Sequence, residues 1–217
     1  MILTQEEILK NETLLKNSMS ILDKLGHTIH THIHILYVIK ELMKDECKNY
    51  LEIGVYRGTS IALVMQSEYK TNFYGIENFS HPHGTHNPTK LNKNITQHNK
   101  HEHEFNIING DSTSKITIEK IHKTIPDGVD LFFIDGHHEE NGALLDLTNY
   151  FDLINPGGII VFDDYTTTPD IRACIDPWVK EHKNELNVIG VIKNITNATD
   201  AHKGPSDENI TFIMQKK

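Results

Sequence analysis

Hydrophobic positions recur along this chain with two different spacings, and the change from one to the other marks the elements. Over residues 4–24 they return at helical spacing: Ile8, Leu14, Leu15, Met19, Ile21, Leu22 and then Leu25. Thr4 and Glu7 have capping-box spacing and Gly26 can end the run, so the pattern predicts one helix there. A second helix is predicted from about residue 31 to 46, with Ile35, Leu36, Ile39, Leu42 and Met43 on one face. From Asn49 onward, short apolar runs alternate with amphipathic segments. Strands are predicted at 49–53, 72–76, 105–108, 129–134 and 158–162, and helices begin near Ser60 and cover 91–98, 115–124 and 171–183. Two last strands, 186–195 and 209–214, are joined by a polar loop and form an antiparallel pair. The alternation predicts an α/β fold with a mostly parallel, doubly wound sheet. Residues 1–46 form a helical extension, and 47–217 the sheet domain.

The stretch from Val129 to Tyr165 organises the rest. Val129 to Ile134 is apolar and stops at Asp135; Gly158 to Phe162 is apolar and stops at Asp163-Asp164. Between them Leu144, Leu145, Leu147, Tyr150 and Phe151 have roughly helical spacing, and Asn155-Pro156-Gly157-Gly158 reads as a stop signal. Strand, helix and strand make a parallel crossover, and ligands bind beyond the carboxyl ends of such strands. Neighbouring strands lie about 4.8 Å apart, so Asp135, Asp163 and Asp164 converge if their strands are neighbours. Three unpartnered carboxylates repel one another. A hard divalent cation, magnesium first, removes the repulsion and suits an oxygen-rich donor set. His138, three residues after Asp135, can accept a proton near neutral pH.

Other strand ends offer further candidates. The loop after the first strand holds Gly54 and Gly58, with Thr59 and Ser60 at a helix start, a setting in which a ligand can approach backbone N–H groups. It lacks the GxGxxG spacing of dinucleotide-binding turns. Glu77 ends the second strand, where an acid can accept hydrogen bonds from a ribose diol. The Asn109-Gly110-Asp111-Ser112 turn ends the third and can face a purine edge. His27, His30, His32 and His34 alternate with apolar residues, a spacing that does not put metal ligands on one helical face; surface or substrate-side positions are expected. His81, His83, His86, His98, His101 and His103 lie in a polar tract, read as a solvated loop on the ligand side.

Composition narrows the function. The chain has 217 residues and a net charge of −9 with histidine neutral, which argues against nucleic acid as a partner. Cys47 and Cys174 offer no disulfide framework, and no apolar run approaches a membrane span. A cytoplasmic protein is expected.

These motifs together resemble the class I S-adenosylmethionine-dependent methyltransferases. LEIGVYRGTS is similar to the loop that holds the donor's methionine part, which implies Glu52, Gly54, Tyr56, Gly58, Thr59 and Ser60 as binding residues. YGIENF is similar to the ribose-binding strand end, which implies Glu77 and Asn78; NGDSTS is similar to the adenine-side turn, which implies Asp111 and Ser112. FIDGHH with IIVFDDY resembles the metal-dependent sugar O-methyltransferases of the macrocin and aminocoumarin type, and more distantly the catechol O-methyltransferases. That resemblance implies a Rossmann-like seven-stranded sheet with a reversed last strand, magnesium on Asp135, Asp163 and Asp164, and His138 as base. The first loop departs from the family's commoner G-x-G-x-G. The expected partners are a small-molecule or glycan acceptor, and a second copy through the N-terminal helices is an option. Two rival readings remain at this point: a nicotinamide-dependent dehydrogenase, and a silent nucleotide-binding or oligomerisation module.

Overall fold

The short apolar runs assemble into one sheet. The computed structural model describes residues 2–25, 33–80, 87–136, 141–165, 169–193 and 210–217. The strands are β1 (Asn49–Ile53), β2 (Asn72–Glu77), β3 (Phe105–Asn109), β4 (Val129–Ile134), β5 (Ile154–Phe162), β6 (Leu186–Lys193) and β7 (Ile210–Lys216). They form a 7-stranded sheet in the order β3-β2-β1-β4-β5-β7-β6. β1 to β5 are parallel, and β7 runs antiparallel to both β5 and β6. The Rossmann-like sheet with a reversed last strand is therefore present. The helices are α1 (Gln5–Lys10), α2 (Glu12–Leu25), α3 (His34–Met43), α4 (Thr59–Val64), α5 (Pro88–His98), α6 (Lys115–Thr124), α7 (Gly142–Tyr150) and α8 (Pro169–Glu181). Among the described residues no helix is long and apolar enough to cross a membrane.

Strand alternation divides the interior in two. Leu131 and Phe133 of β4 enter one apolar cluster, whereas Phe132 and Ile134 enter the other. The first cluster takes Ile8, Leu15, Leu22 and Ile39 of the N-terminal helices with Leu63, Leu91 and Ile95 of α4 and α5. The second takes Ile121, Leu147 and Ile175 of α6, α7 and α8. The apolar stripes of α1–α3 are thus used on the sheet's own face. β4 is buried at every position, which is why its sequence reads as an unbroken apolar run.

Four local expectations change. The predicted helix over 4–24 is two helices divided at Asn11, where φ −84° and ψ 62° end the first, and the Asn11 side chain accepts from the Leu14 N–H at 3.4 Å to start the second. Asn155-Pro156-Gly157-Gly158 does not precede the strand but lies inside β5. Val129 pairs with Ile154 and Leu131 with Ile159, so this stretch bulges from the ladder. The α7 stripe is rotated: Leu145 is 45% exposed, while Ala143, Asp146, Leu147 and Tyr150 are buried. Finally, two histidines expected on the surface or in a solvated tract are buried. α3 is covered from His34 through Lys40, which encloses His34. His103 turns its Nε2 to the Met65 and Ser67 carbonyls at 3.1 and 3.0 Å, and burial lowers its pKa. It ties the end of α4 to the edge of β3. His27, His30, His32, His81, His83 and His86 lie outside the described residues.

Candidate active site

Parallel registry brings five strand ends to one edge. Ile53 pairs with both Ile76 and Ile134, Glu77 pairs with Asn109, and Ile134 pairs with Phe162. Ile76 pairs in turn with Ile108, so the next residues in the chain, Gly54, Glu77, Asn109, Asp135 and Asp163, share a row. The ladder continues one step beyond the strands, because Asp135 N–H donates to the Ile53 carbonyl and Asp163 N–H to the Ile134 carbonyl, both at 3.0 Å.

The turn out of β1 requires glycine. Gly54 has φ +86°, and a Cβ there would sit 1.9 Å from the Asp135 carbonyl oxygen. The two strand ends approach each other that closely, so the Gly54–Gly58 loop and the acidic strand end form one surface. Gly58, at φ +76°, ends the loop against Leu91 and Ile95 of α5 and precedes α4, whose first residue is the half-buried Thr59. Between them Tyr56 holds φ 46°, a region costly for a side-chain-bearing residue. Its N–H donates to Glu77 Oε2 at 2.6 Å, and Phe79 N–H, also at positive φ, donates to Glu77 Oε1 at 2.8 Å. Two backbone donors thus fix a carboxylate that is only 7% exposed. Strained residues grouped in this way mark a site whose geometry the surrounding fold enforces.

Glu52 lies one step inside the sheet and is fully buried. Ser60 Oγ donates to one of its oxygens, and Tyr50 Oη donates to the other at 2.5 Å. Burial raises this carboxyl to about 8; the hydrogen bonds from Ser60 and Tyr50 pull it down less, and the Glu77 charge adds to the rise. An unfolded glutamate titrates near 4.5, so the folded chain holds the extra proton between those values. The associated stability is fully present below the unfolded value and lost as pH rises through about 8. In donor- and metal-free protein the melting temperature should therefore fall from about pH 6 to about pH 9. Glu52→Gln, which mimics the neutral acid, should flatten that fall. Asp135 contributes a slope of the same sign, so part of it persists. Superimposable melting profiles for the two proteins across this range would refute the assignment.

The remaining donor-side candidates shape turns. Asn78 is exposed, and its Oδ1 accepts from Ser80 N–H and Oγ at 2.9 and 2.8 Å. Asp111 Oδ1 accepts from Thr113 N–H at 2.8 Å, and Gly110 N–H donates to the Glu77 carbonyl at 3.1 Å. Ser112 is buried and its carbonyl accepts from Tyr150 Oη at 2.6 Å.

Asp135, Asp163 and Asp164 converge: one oxygen from each lies within 4.8 Å of the others. Asp164 reaches this position through φ 51°, another enforced left-handed residue. Tyr165 follows at once, stacks on Phe212 at 4.5 Å and donates to Asp176 of α8, which anchors the exit of β5. Burial holds the Asp135 carboxyl well above the usual range, and the charges of Asp163, Glu52 and Asp164 push it further. Three carboxylates gathered under desolvation fit a divalent cation, which would replace their repulsion with attraction. His138 lies outside the described residues.

Comparisons with known proteins give this edge a family. The family model of a methyltransferase domain matches residues 51–165, the span from β1 to the end of the β5 exit. The chain belongs to that family. An uncharacterized protein of Acanthamoeba polyphaga mimivirus is 35% identical over 200 residues, covering 88% of this chain and 89% of the relative. A Klebsiella pneumoniae protein provisionally described as an O-methyltransferase superposes with a TM-score of 0.63 at 15% identity, over 94% of this chain and 89% of its own. A TDP-rhamnose 3'-O-methyltransferase of calicheamicin biosynthesis superposes with a TM-score of 0.58 at 14% identity, over 99% and 87%. The protein is thus an S-adenosylmethionine-dependent methyltransferase with the fold of the O-methyltransferases. The dehydrogenase reading is set aside.

Sequence reasoning missed several supports of this methyltransferase's edge. Tyr50 stands two residues before Glu52 and so shares its face of β1, a spacing that could have paired them. The Phe79 N–H carries no sequence signal. Asp146 and Tyr150 have i,i+4 spacing on α7, but the expected stripe was centred on its leucines.

Proposed function

We propose that this methyltransferase transfers the donor's methyl group to a hydroxyl of a sugar, glycan or related small molecule, with a divalent cation, magnesium first, on Asp135, Asp163 and Asp164. The convergence of those three acids at the ends of adjacent strands carries the reading. The sugar preference rests on the FIDGHH and IIVFDDY motifs and on the likeness in fold to a TDP-rhamnose 3'-O-methyltransferase. The bound ion supplies Lewis acidity, which lowers the pKa of an acceptor hydroxyl and favours a vicinal diol. The chain's residues do the rest. Glu77, held by the Tyr56 and Phe79 N–H groups, accepts from the donor's ribose hydroxyls. The Gly54–Ser60 loop surrounds the methionine part, and the Asp111–Ser112 turn borders the adenine. His138 accepts the acceptor's proton as oxygen attacks the methyl carbon and the sulfur–methyl bond breaks, leaving S-adenosylhomocysteine. The sulfonium is already activated, so orientation is the main remaining requirement.

The test is product analysis with labelled donor on a panel of sugars bearing vicinal diols, with magnesium and after chelation. Methyl transfer to a sugar hydroxyl that stops on chelation supports the reading. Transfer confined to catechols overturns the acceptor class, and undiminished transfer after chelation overturns the metal. The donor assignment has its own check. Glu77→Ala removes the ribose acceptor, at about 1–3 kcal/mol, so calorimetry should show S-adenosylhomocysteine binding weakened by about 5- to 150-fold. Unchanged affinity in a folded variant would remove Glu77 from the site.

A further inference from the structure

α7 carries two fully buried polar side chains one turn apart, and each reaches a different part of the active edge. Tyr150 is 0% exposed, and its Oη donates to the Ser112 carbonyl at 2.6 Å. Its ring packs edge-on against Phe132 of β4 at 6.1 Å and stacks with His122 of α6 at 6.5 Å, so the hydroxyl has little room to leave. Asp146 is also 0% exposed. Its Oδ2 lies 2.8 Å from where a Cβ on Gly136 would stand, directly beneath the exit of β4. Burial raises the Tyr150 pKa, and the nearby charges of Asp146 and Asp111 raise it further, so the phenol stays a donor.

The Tyr150 ring belongs to the second apolar cluster, and its hydroxyl and the Asp146 carboxylate bring polar atoms into that interior. Burying a phenol or a carboxylate is unfavourable unless its polar atoms are engaged. The Ser112 carbonyl lies in the turn after β3, and Gly136 follows Asp135. α7 is therefore hydrogen-bonded to the turn after β3 through Tyr150, and it sets Asp146 close against Gly136 at the exit of β4.

We propose that Tyr150 is a positioning residue for recognition of the donor's base: its hydroxyl sets the Asp111–Ser112 turn at the height from which that turn reads the adenine edge. Asp146, one turn earlier, packs the same helix against Gly136 at the exit of β4, which keeps the spacing between the base-reading turn and the acidic site. This rests on the placement of adenine at that turn. Tyr150→Phe keeps the ring and removes the hydrogen bond. It should weaken S-adenosylhomocysteine binding by about 3- to 10-fold, the range expected for one neutral hydrogen bond. The informative quantity is the preference for S-adenosylhomocysteine over S-inosylhomocysteine, which differ at the purine edge. Tyr150→Phe should narrow that preference, while manganese affinity, measured without donor, stays at the wild-type value.

A folded Tyr150→Phe protein that keeps the wild-type preference overturns the proposal, even if its melting temperature falls. If the wild type itself shows no preference between the two nucleosides, the placement of adenine fails, which is a separate outcome. Hydrogen exchange on the wild type supplies a check that needs no variant. The amides of Thr113 and Ser114 should gain protection together with those of α7 when S-adenosylhomocysteine binds. Protection confined to the turn overturns the coupling.

Discussion

His138→Ala is expected to lower turnover by about 10²–10⁴, the range for a positioned base, while leaving donor and metal affinity at wild-type values. A hydroxyl is a poor nucleophile until its proton is removed, and the chain places one imidazole three residues beyond the acid that ends β4. In the proposed mechanism the variant loses the acceptor for that proton and keeps the residues assigned to the donor. Its deficit should shrink as pH rises, because hydroxide then competes for the proton. A base works only in its unprotonated form, so the wild-type rate should fall on acidification. The measurement is single-turnover methyl transfer across pH, so that product release does not mask chemistry. A variant with wild-type single-turnover rates would remove His138 from the mechanism.

The acidic cluster yields the second large effect, and it has opposite signs for stability and activity. Asp163 is 5% exposed and shares a 4.8 Å neighbourhood with Asp135 and Asp164. Asp163→Asn keeps the shape and removes one charge from that group. Without metal, less repulsion remains, so the variant should melt higher than the wild type. With metal, a ligand charge is missing, so cation affinity should fall. Metal catalysis of this kind is worth several kcal/mol, so the rate should drop by about 10²–10³ at low magnesium and recover in part at high magnesium. Melting curves with and without the cation, set beside rates over a magnesium series, check both halves. Equal magnesium dependence in the two proteins would exclude Asp163 as a ligand.

Sequence reasoning located the strands well because β4 and β5 are buried on both faces, and only unbroken apolar runs satisfy that burial. It located Asp135, Asp163 and Asp164 for the same reason: an acid that ends such a run has to lie at the strand's exit. Asn155–Gly158 misled because proline and glycine usually mark turns, whereas here they sit in a bulge that pairing on both sides encloses within the strand. His103 misled because its neighbours in sequence are polar, whereas the fold sets its ring edge-on to Phe73 and its Nε2 against the Met65 and Ser67 carbonyls. His34 misled because its alternation with apolar residues marks no helical face, whereas α3 is covered all the way from His34 through Lys40. The supports of Glu77 and Ser112 were illegible for a further reason. They are backbone N–H groups and a residue on a distant helix, and their partners are set by how the chain packs.

β7 is the strand latest in the sequence, yet it lies inside the sheet, between β5 and β6. During synthesis, β5 emerges from the ribosome with its outer edge open and stays so until residues 210–216 follow. β6 emerges earlier than β7 but has no strand to pair with until β7 inserts. Until then, the apolar edge beside Asp163 is a template for pairing with other chains, and chaperone demand should peak at this stage. A stop codon between Tyr165 and Ile210 leaves that edge open permanently. Such a fragment should be cleared or aggregate, although it retains every residue of the donor loop and all three acids.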